Sequence, residues 1–341
     1  MSLSKKDREA ILDDILDVTL MFPSNLVNII SSKYSISKQT VYKYINKLVE
    51  ANKIEFEETK KGRTYSLKDA SFSFRLKPEN LQEDLVWVEK IKPILPNIKK
   101  NVYDICSYGF TEILNNAIDH AESTEIFVLI EYSPRTLQFI IRDNGIGIFK
   151  KIQNLLNLTD PRHAILELAK GKLTSDPTKH SGEGIFFTSR AFDKFVIFSG
   201  DLTFASQNSH DWLFEGTLSK KGTAVIMIID INSDKNLCQI FDEYTDKETQ
   251  GFNKTIIPVN LIKYEGMELI SRSQAKRLIN RFDKFQEIVL DFKGIEVIGQ
   301  AFADELFRVF KSSNPQIHME FINENDNVKK MINHVLNSNN N

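Results

Sequence analysis

EILNNAIDH, Glu112 to His120, is the stretch whose reading decides how this chain folds. Around it, Val102, Ile105, Phe110, Ile113, Leu114, Ala117 and Ile118 fall on one broad apolar stripe, which predicts a helix from about Asn101 to His120. Glu112 and Asn116 are four residues apart and share a face of that helix. A carboxylate and an amide on a helix are usually solvated, and Asn115 and Asp119 are read that way. Two later segments change the reading of Glu112 and Asn116: DNGIGI, Asp143 to Ile148, and SGEGIF, Ser181 to Phe186.

Between the first two segments, TEIFVLIEY and TLQFIIRD flank Ser133-Pro134-Arg135, which predicts a β-hairpin whose second strand ends on Asp143. Gly145 and Gly147 allow a sharp turn and a close backbone approach. Ser181, Gly182 and Gly184 open a helix continued by Ile185, Phe186, Phe187 and Ala191. The N–H groups at such an end, with the positive pole of the helix dipole, seat an anion. Each segment is common by itself. In this order, with a hairpin between the first two, they resemble the nucleotide pocket of the GHKL or Bergerat-fold ATPases, the superfamily of gyrase-type topoisomerases, heat-shock chaperones, sensor histidine kinases and anti-sigma kinases.

The resemblance runs from Asn101 to Thr245 and implies ATP and Mg²⁺ as cofactors. It makes Asn116 the metal ligand, its amide oxygen joining the water and phosphate oxygens that Mg²⁺ otherwise keeps. Glu112 becomes the catalytic residue that orients or deprotonates the water attacking the γ-phosphate. Asp143 accepts the adenine amino hydrogens and disfavours guanine, whose carbonyl would face the carboxylate. Gly145, Gly147, Ser181, Gly182 and Gly184 complete the cofactor-binding set. Thr223, after Gly222, resembles the Gly-Thr whose hydroxyl supports that aspartate through water; a plain β-branched strand residue is the competing reading. Phe149 to His180 corresponds to the ATP lid. Lys170, Lys172 and Lys179 can reach phosphates from it, with Lys172 taken into the cofactor-binding set, although exposed lid lysines are more often solvated; His163 and His180 read as polar surface. FVIFSG, LTFAS, WLFEGTLS and GTAVIMIID then complete an antiparallel or mixed sheet with helices on one face.

Ahead of the core, ILDDILDVTLMF predicts a first helix ended by Pro23, Ser24 caps a second through Ile30, and Ser37 caps a third over SKQTVYKYINKLVEAN. IEFEE, a KKGR tip and TYSL predict a hairpin. This order resembles a winged helix-turn-helix, whose third helix enters the major groove of double-stranded DNA while the wing touches backbone. Thr19 to Val49 contains no Asp or Glu but carries Lys33, Lys38, Lys43 and Lys47, and Lys60, Lys61 and Arg63 stand at the wing. Lys38, Gln39, Thr40, Tyr42, Lys43, Lys61 and Arg63 are the candidate DNA contacts. Four phosphates neutralised per head give a log-affinity against log-salt slope of roughly −3 to −4. A winged-helix module for protein interaction or dimerisation, with solvated lysines, is the alternative.

Phe72 to Lys100 mixes turn signals with helical pieces and is read as a connector. After the polar TDKETQGFNK, KTIIPVN, SRSQAKRLINRF, QEIVLDF, GQAFADELFRVF, IHMEFI and NVKKMINHVL alternate strand and helix, which predicts parallel β-α-β units. EIVLDFKGIEVIGQAFADELF resembles a STAS domain, the fold of anti-anti-sigma proteins, and implies a protein partner. Phosphorylatable STAS proteins carry a serine where the helix begins; here the turn is Ile298-Gly299-Gln300-Ala301, which argues against phosphorylation of this tail by its own core. Asp304 and Glu305 can form a contact face, but an exposed acidic helix end is the simpler reading.

The 341 residues suit two or three compact units. The expected fold is α+β multidomain: a winged-helix head over 1–70, a Bergerat α/β sandwich with its connector over 71–245 and a small STAS-like tail over 246–341. A formal charge of −2 with 26% charged residues gives no overall basicity, so charge is read by region. Cys106 and Cys238, far apart and outside any CxxC, fit a reduced, cytoplasmic protein. No apolar run approaches the length of a membrane span, and no h-region follows the basic start. All six histidines lie at or after His120, so a phosphoacceptor histidine before the core, as in histidine kinases, is missing. Three functions remain open: an ATP-responsive DNA-binding transcriptional regulator with slow hydrolysis, a serine/threonine protein kinase of anti-sigma type acting on a partner, and a nonhydrolytic ATP-binding adaptor. Winged-helix heads often pair, so a homodimer is expected by analogy.

Overall fold

The computed structural model describes residues 4–60, 62–173, 182–208, 210–216, 221–245, 251–263 and 268–337. In the head, Ser4 opens α1 (Lys5–Met21) with a capping box: its hydroxyl accepts the Asp7 N–H and the Asp7 carboxylate accepts the Ser4 N–H. α2 (Leu26–Tyr34), α3 (Lys38–Glu50) and an antiparallel hairpin of β1 (Ile54–Thr59) and β2 (Gly62–Leu67) follow, in the order of a winged helix. Ser37 caps α3 through the Thr40 N–H at 3.2 Å. α2 departs from expectation. Asn25 precedes it without a side-chain cap, the helix runs on to Tyr34, and the Ser24 hydroxyl meets Thr64 of the hairpin at 3.3 Å. Ile11, Ile15, Leu26, Ile30, Val41 and Ile45 belong to a buried cluster of the head's own.

The expected connector begins as part of the sheet. Ser71, Phe72, Ser73, Phe74 and Arg75 alternate in character, and β3 (Ala70–Leu76) forms an edge strand paired to β4 (Ile126–Tyr132). α4 (Glu83–Val86) and a π-helical turn then carry Trp87 into the core, its N–H donating to the Tyr103 hydroxyl at 3.0 Å and its ring against Phe110 and Phe139. α5 (Lys100–Asp119) is the helix of EILNNAIDH. β5 (Thr136–Asp143), α6 (Ile148–Leu155), α7 (His163–Lys170), α8 (Gly184–Ala191), β6 (Lys194–Ser199), β7 (Leu202–Gln207), β8 (His210–Glu215) and β9 (Thr223–Asp230) complete the core. The seven strands run in the order β3-β4-β5-β9-β6-β7-β8, and every pairing is antiparallel.

Along β5, Leu137, Phe139, Ile141 and Asp143 alternate as buried residues, so Asp143 shares a face with the apolar side chains packed beneath α5. The apolar row of β5 thus ends on a buried carboxylate. At the other end of the strand, Arg135 in the turn before Thr136 donates to Asp17 at 2.7 Å and to the Asp13 carbonyl at 3.1 Å, which joins the head's α1 to this hairpin.

After α9 (Leu237–Tyr244) come β10 (Lys254–Pro258), α10 (Arg272–Ile279), β11 (Glu287–Asp291), α11 (Gln300–Ala303), α12 (Lys311–Ser313), β12 (His318–Ile322) and α13 (Asp326–Asn337). β10, β11 and β12 form a parallel three-stranded sheet, as the alternation predicts. Gly299 and Gln300 stand where the helix after β11 begins. Asp304 and Glu305 are not an exposed acidic end: Asp304 holds Arg308, and Glu305 is buried near Lys276 at 4.0 Å. The tail does not bury a separate core. Phe252 and Phe285 continue the apolar cluster of the seven-stranded core, the Phe252 ring centre lying 4.8 Å from that of Phe186 and 5.0 Å from that of Phe187. Among the described residues no helix is long and apolar enough to cross a membrane.

Candidate nucleotide site

The three sequence segments converge on a cavity of about 390 Å³, bounded by α5, the end of β5, α6 and the start of α8. Such a volume suits a mononucleotide. Ile141 and Val225 contribute its apolar floor, while Glu112, Asn116, Asp143 and Thr223 supply polar groups.

Asp143 is 5% exposed. Its Oδ1 accepts the N–H of Gly145 at 2.8 Å and of Thr223 at 3.2 Å. Burial raises its carboxyl above the usual carboxylate range, and those N–H groups oppose the rise. Both bonds converge on one oxygen, which orients the carboxylate for a donor in the cavity. The Thr223 hydroxyl accepts the Ile148 N–H at 3.0 Å, so it ties β9 to the start of α6 beside Asp143.

On α5, the Asn116 side-chain nitrogen donates to the Glu112 carbonyl at 2.7 Å. With its nitrogen on the helix backbone, the amide oxygen is the end that remains for a ligand in the cavity. Among the described residues no group of three or more His, Cys, Asp or Glu is arranged to hold a metal. A single amide oxygen fits Mg²⁺, which keeps most of its ligands as water and phosphate oxygens, and does not suit a metal that needs a protein cage. Glu112 reaches the start of α8: a Cβ on Gly184 would fall 1.9 Å from its Oε2. Glycine at 184 therefore makes room for the carboxylate. The residue before α8, Glu183, does not cap the helix with its own side chain.

The glycines of the second segment have separate tasks. Gly147 lines the cavity at φ +88°, whereas Gly145 packs on the chain itself, a Cβ there meeting the Ala121 carbonyl at 1.9 Å. Of the two, Gly147 is the one that lines the cavity. Gly182 lines the cavity, and its carbonyl accepts the Leu173 N–H at 3.0 Å. Ser181, Lys179 and His180 lie outside the described residues.

The lid lysines differ most from expectation. Lys172 does not line the cavity; its ammonium donates to Asn253 at 3.1 Å and the Lys284 carbonyl at 2.8 Å, over the rings of Phe252 and Phe285. Lys170 is fully buried against Glu167 at 2.8 Å, and burial pulls it down to about 8 while Glu167 opposes the fall. His163 is also buried, 3.1 Å from Arg277. Apart from Glu167, three residues from Lys170, the partners named for these side chains lie more than eighty residues away in sequence, beyond any local pattern. Asn115, which reads as solvated in the sequence, and His120 and Lys151, which have no role there, also line the cavity, and the Lys151 ammonium donates to the His120 carbonyl. Asn115 and His120 belong to the first segment and Lys151 follows the second by three residues, which is the signal that could have found them.

In the head, Lys38, Gln39, Tyr42 and Lys43 are exposed on α3, while the Thr40 hydroxyl lies 2.9 Å from Ser37 within the cap. Lys33 is paired with Asp14, and Arg63 pairs with Glu58 at 3.2 Å over Phe56. Glu55, Glu57 and Glu58 are exposed on β1, so the wing is less basic than its tip suggested. Lys61 lies outside the described residues.

Residues 107–233 match the family model of the histidine kinase-, DNA gyrase B- and HSP90-like ATPases, and residues 274–329 match that of a STAS-like domain of unknown function (DUF4325). No curated protein matches the chain. The matched regions cover the cavity-forming core and most of the parallel tail, so the chain joins a GHKL-type ATPase domain to a STAS-like domain.

Proposed function

We propose that this protein is an ATP-binding, DNA-binding transcriptional regulator in which Mg·ATP in the core sets the geometry of the winged-helix head. The observation that carries the reading is β5, which starts beside Arg135, where the core grips α1, and ends on Asp143 in the cavity. In this reading Asp143 takes adenine, Thr223 supports it, the N-terminus of α8 seats the triphosphate, Asn116 holds Mg²⁺ and Glu112 serves slow hydrolysis. The exposed face of α3 carries Lys38, Gln39, Tyr42 and Lys43 to DNA.

With Lys33 held by Asp14, the exposed lysines of α3 are Lys38, Lys43 and Lys47. Three phosphate contacts give a salt slope of roughly −3 per head, at the shallow end of the sequence expectation. The test selects genomic fragments retained by the full chain and measures their affinity with and without Mg²⁺ and a nonhydrolysable ATP analogue. Equal affinity in the two conditions removes the coupling; absence of salt-dependent binding removes the DNA-reading head. Labelled γ-phosphate assigns the fate of the nucleotide, since release as phosphate supports slow hydrolysis and transfer to protein supports a kinase.

A further inference from the structure

Residues 167–173 form a two-sided segment. On one side, Leu168 and Leu173 line the cavity. On the other, Glu167, Lys170, Gly171 and Lys172 make polar contacts to the STAS-like tail. Glu167 accepts Arg281 at 3.1 Å and Asn280 at 3.1 Å, and the Lys170 ammonium donates to the Asn280 carbonyl at 2.7 Å. The Lys170 carbonyl accepts the Thr255 hydroxyl at 2.9 Å. Arg281 also donates to the carbonyls of Gly171, at 3.0 Å, and of Lys172. Gly171 adopts φ +82°, and a Cβ there would stand 2.8 Å from the Phe252 ring, so the close approach of the tail is built into the backbone.

Helical spacing produces the division: Glu167 and Lys170 are three apart and share one face of α7, and Leu168 turns to another. The pairing is buried and hydrogen-bonded throughout, with side-chain exposures of 0% for Lys170, 2% for Glu167 and 12% for Arg281. Removing one partner from such a network leaves an uncompensated charge, which gives the contact a single well-defined geometry. The Gly182 carbonyl accepts the Leu173 N–H, so the grip of the tail reaches a cavity residue two positions before α8.

We propose that the STAS-like tail positions the wall of the nucleotide site, with Arg281 as the positioning residue, so that nucleotide affinity depends on the tail and bound nucleotide in turn tightens the tail against the core. This rests on the reading of the cavity as an ATP site. The grip favours the wall-forming arrangement of 167–173. By linkage, whatever strengthens nucleotide binding through this contact is strengthened by nucleotide to the same degree. A protein partner that drew the 252–285 face away would release nucleotide.

The test uses the full chain. Calorimetry measures the affinity of a nonhydrolysable ATP analogue for the unaltered protein, Arg281→Ala, Arg281→Lys and Thr255→Val, and hydrogen exchange follows residues 272–284 with and without the analogue. Arg281→Ala is expected to lower affinity about tenfold, within the usual range of coupling between sites. Arg281→Lys recovers only part, since an ammonium cannot serve Glu167 and two carbonyls together. Thr255→Val, which removes one buried hydrogen bond with little change of shape, lowers affinity about two- to fivefold. In the unaltered chain the analogue slows exchange over 272–284, a nucleotide-dependent effect that a merely structural role would not produce. Analogue binding by the unaltered chain with unchanged exchange over 272–284 overturns the proposal, even where Arg281→Ala does not fold. Affinities of Arg281→Ala and Thr255→Val within twofold of the original do the same. Failure of the unaltered chain to bind the analogue overturns the ATP reading and this proposal with it, an outcome distinct from both.

Discussion

Asp143→Asn separates what the carboxylate does for nucleotide from what it does to the empty fold. The N–H groups of Gly145 and Thr223 both bond Oδ1, at 2.8 and 3.2 Å, and an asparagine keeps those bonds with its amide oxygen in that place. The outer atom changes from an acceptor to an NH₂ donor, which opposes the adenine amino group. A hydrogen bond to a charged group contributes about 1.5–3 kcal/mol, so the analogue affinity falls about 12- to 150-fold. Stability moves the other way. Burial raises the Asp143 pKa, so between its ordinary value of 3.8 and the raised value the folded chain binds more protons than the unfolded chain. The corresponding stability is present below that window and is lost as pH rises through it. At pH 7 the empty protein therefore carries a cost that asparagine lacks, and the variant unfolds at an equal or higher temperature. Acidification gives the same sign in binding. The unaltered protein loses analogue affinity as pH falls through the raised pKa, earlier than an ordinary carboxylate, while the variant changes little. Calorimetric titration and thermal unfolding across about pH 4.5–7.5, a range above the ordinary aspartate pKa, measure both effects. Binding by the variant within twofold of the original, or an unfolding temperature several degrees lower at pH 7, refutes the reasoning.

Two further substitutions probe α8. Arg190→Ala leaves Asp211, whose side chain is fully buried, without its cation and costs about 3–5 kcal/mol, read in denaturant unfolding; Arg190→Met with Asp211→Leu recovers most of it, and a single variant within about 1 kcal/mol of the original shows that the pair does not hold α8 to β8. Gly184→Ala improves helix propensity by up to about 1 kcal/mol yet drives a Cβ to 1.9 Å from Glu112 Oε2, so the carboxylate must swing away. Unfolding is expected to change little while phosphate release falls at least tenfold, about what an ångström-scale misplacement of a reacting group produces; unchanged release with a folded protein removes Glu112 from hydrolysis.

The parts of the fold that were legible are those whose signal is local. TLQFIIRD announces β5 and its terminal aspartate through strict alternation, and Ser37 announces the start of α3 through the chemistry of a cap. β3 was missed although Ser71 to Arg75 also alternate, because its half-buried edge position carries aromatic residues between serines and its flanks carry turn residues. Lys170 and Lys172 illustrate the other limit. A lysine in a lid is by default solvated, and only the fold brings Asn280, Lys284 and the Phe252 ring to them. Gly145 and Gly147 occupy one motif and look alike, but which of them faces a ligand depends on where the end of α5 lies.

The two flanking domains meet the core by different physics, and on the proposed reading that difference bears on which of them bound nucleotide would move. The tail shares an apolar core with α8 through Phe252 and adds the buried grip on 167–173, so separating it exposes aromatic surface and unpaired charge. The head buries its own cluster and meets the β4–β5 turn through Arg135, Asp13 and Asp17, with the two carboxylates 56% and 44% exposed. Ion pairs of that exposure contribute about 0–1 kcal/mol each. A tenfold change in DNA affinity needs about 1.4 kcal/mol of difference in nucleotide binding between two head positions. The Arg135 joint is of that size. The tail junction is the stiffer of the two, which suits its proposed role in shaping the site, and on the proposed regulatory reading the head joint is the one weak enough to be redirected.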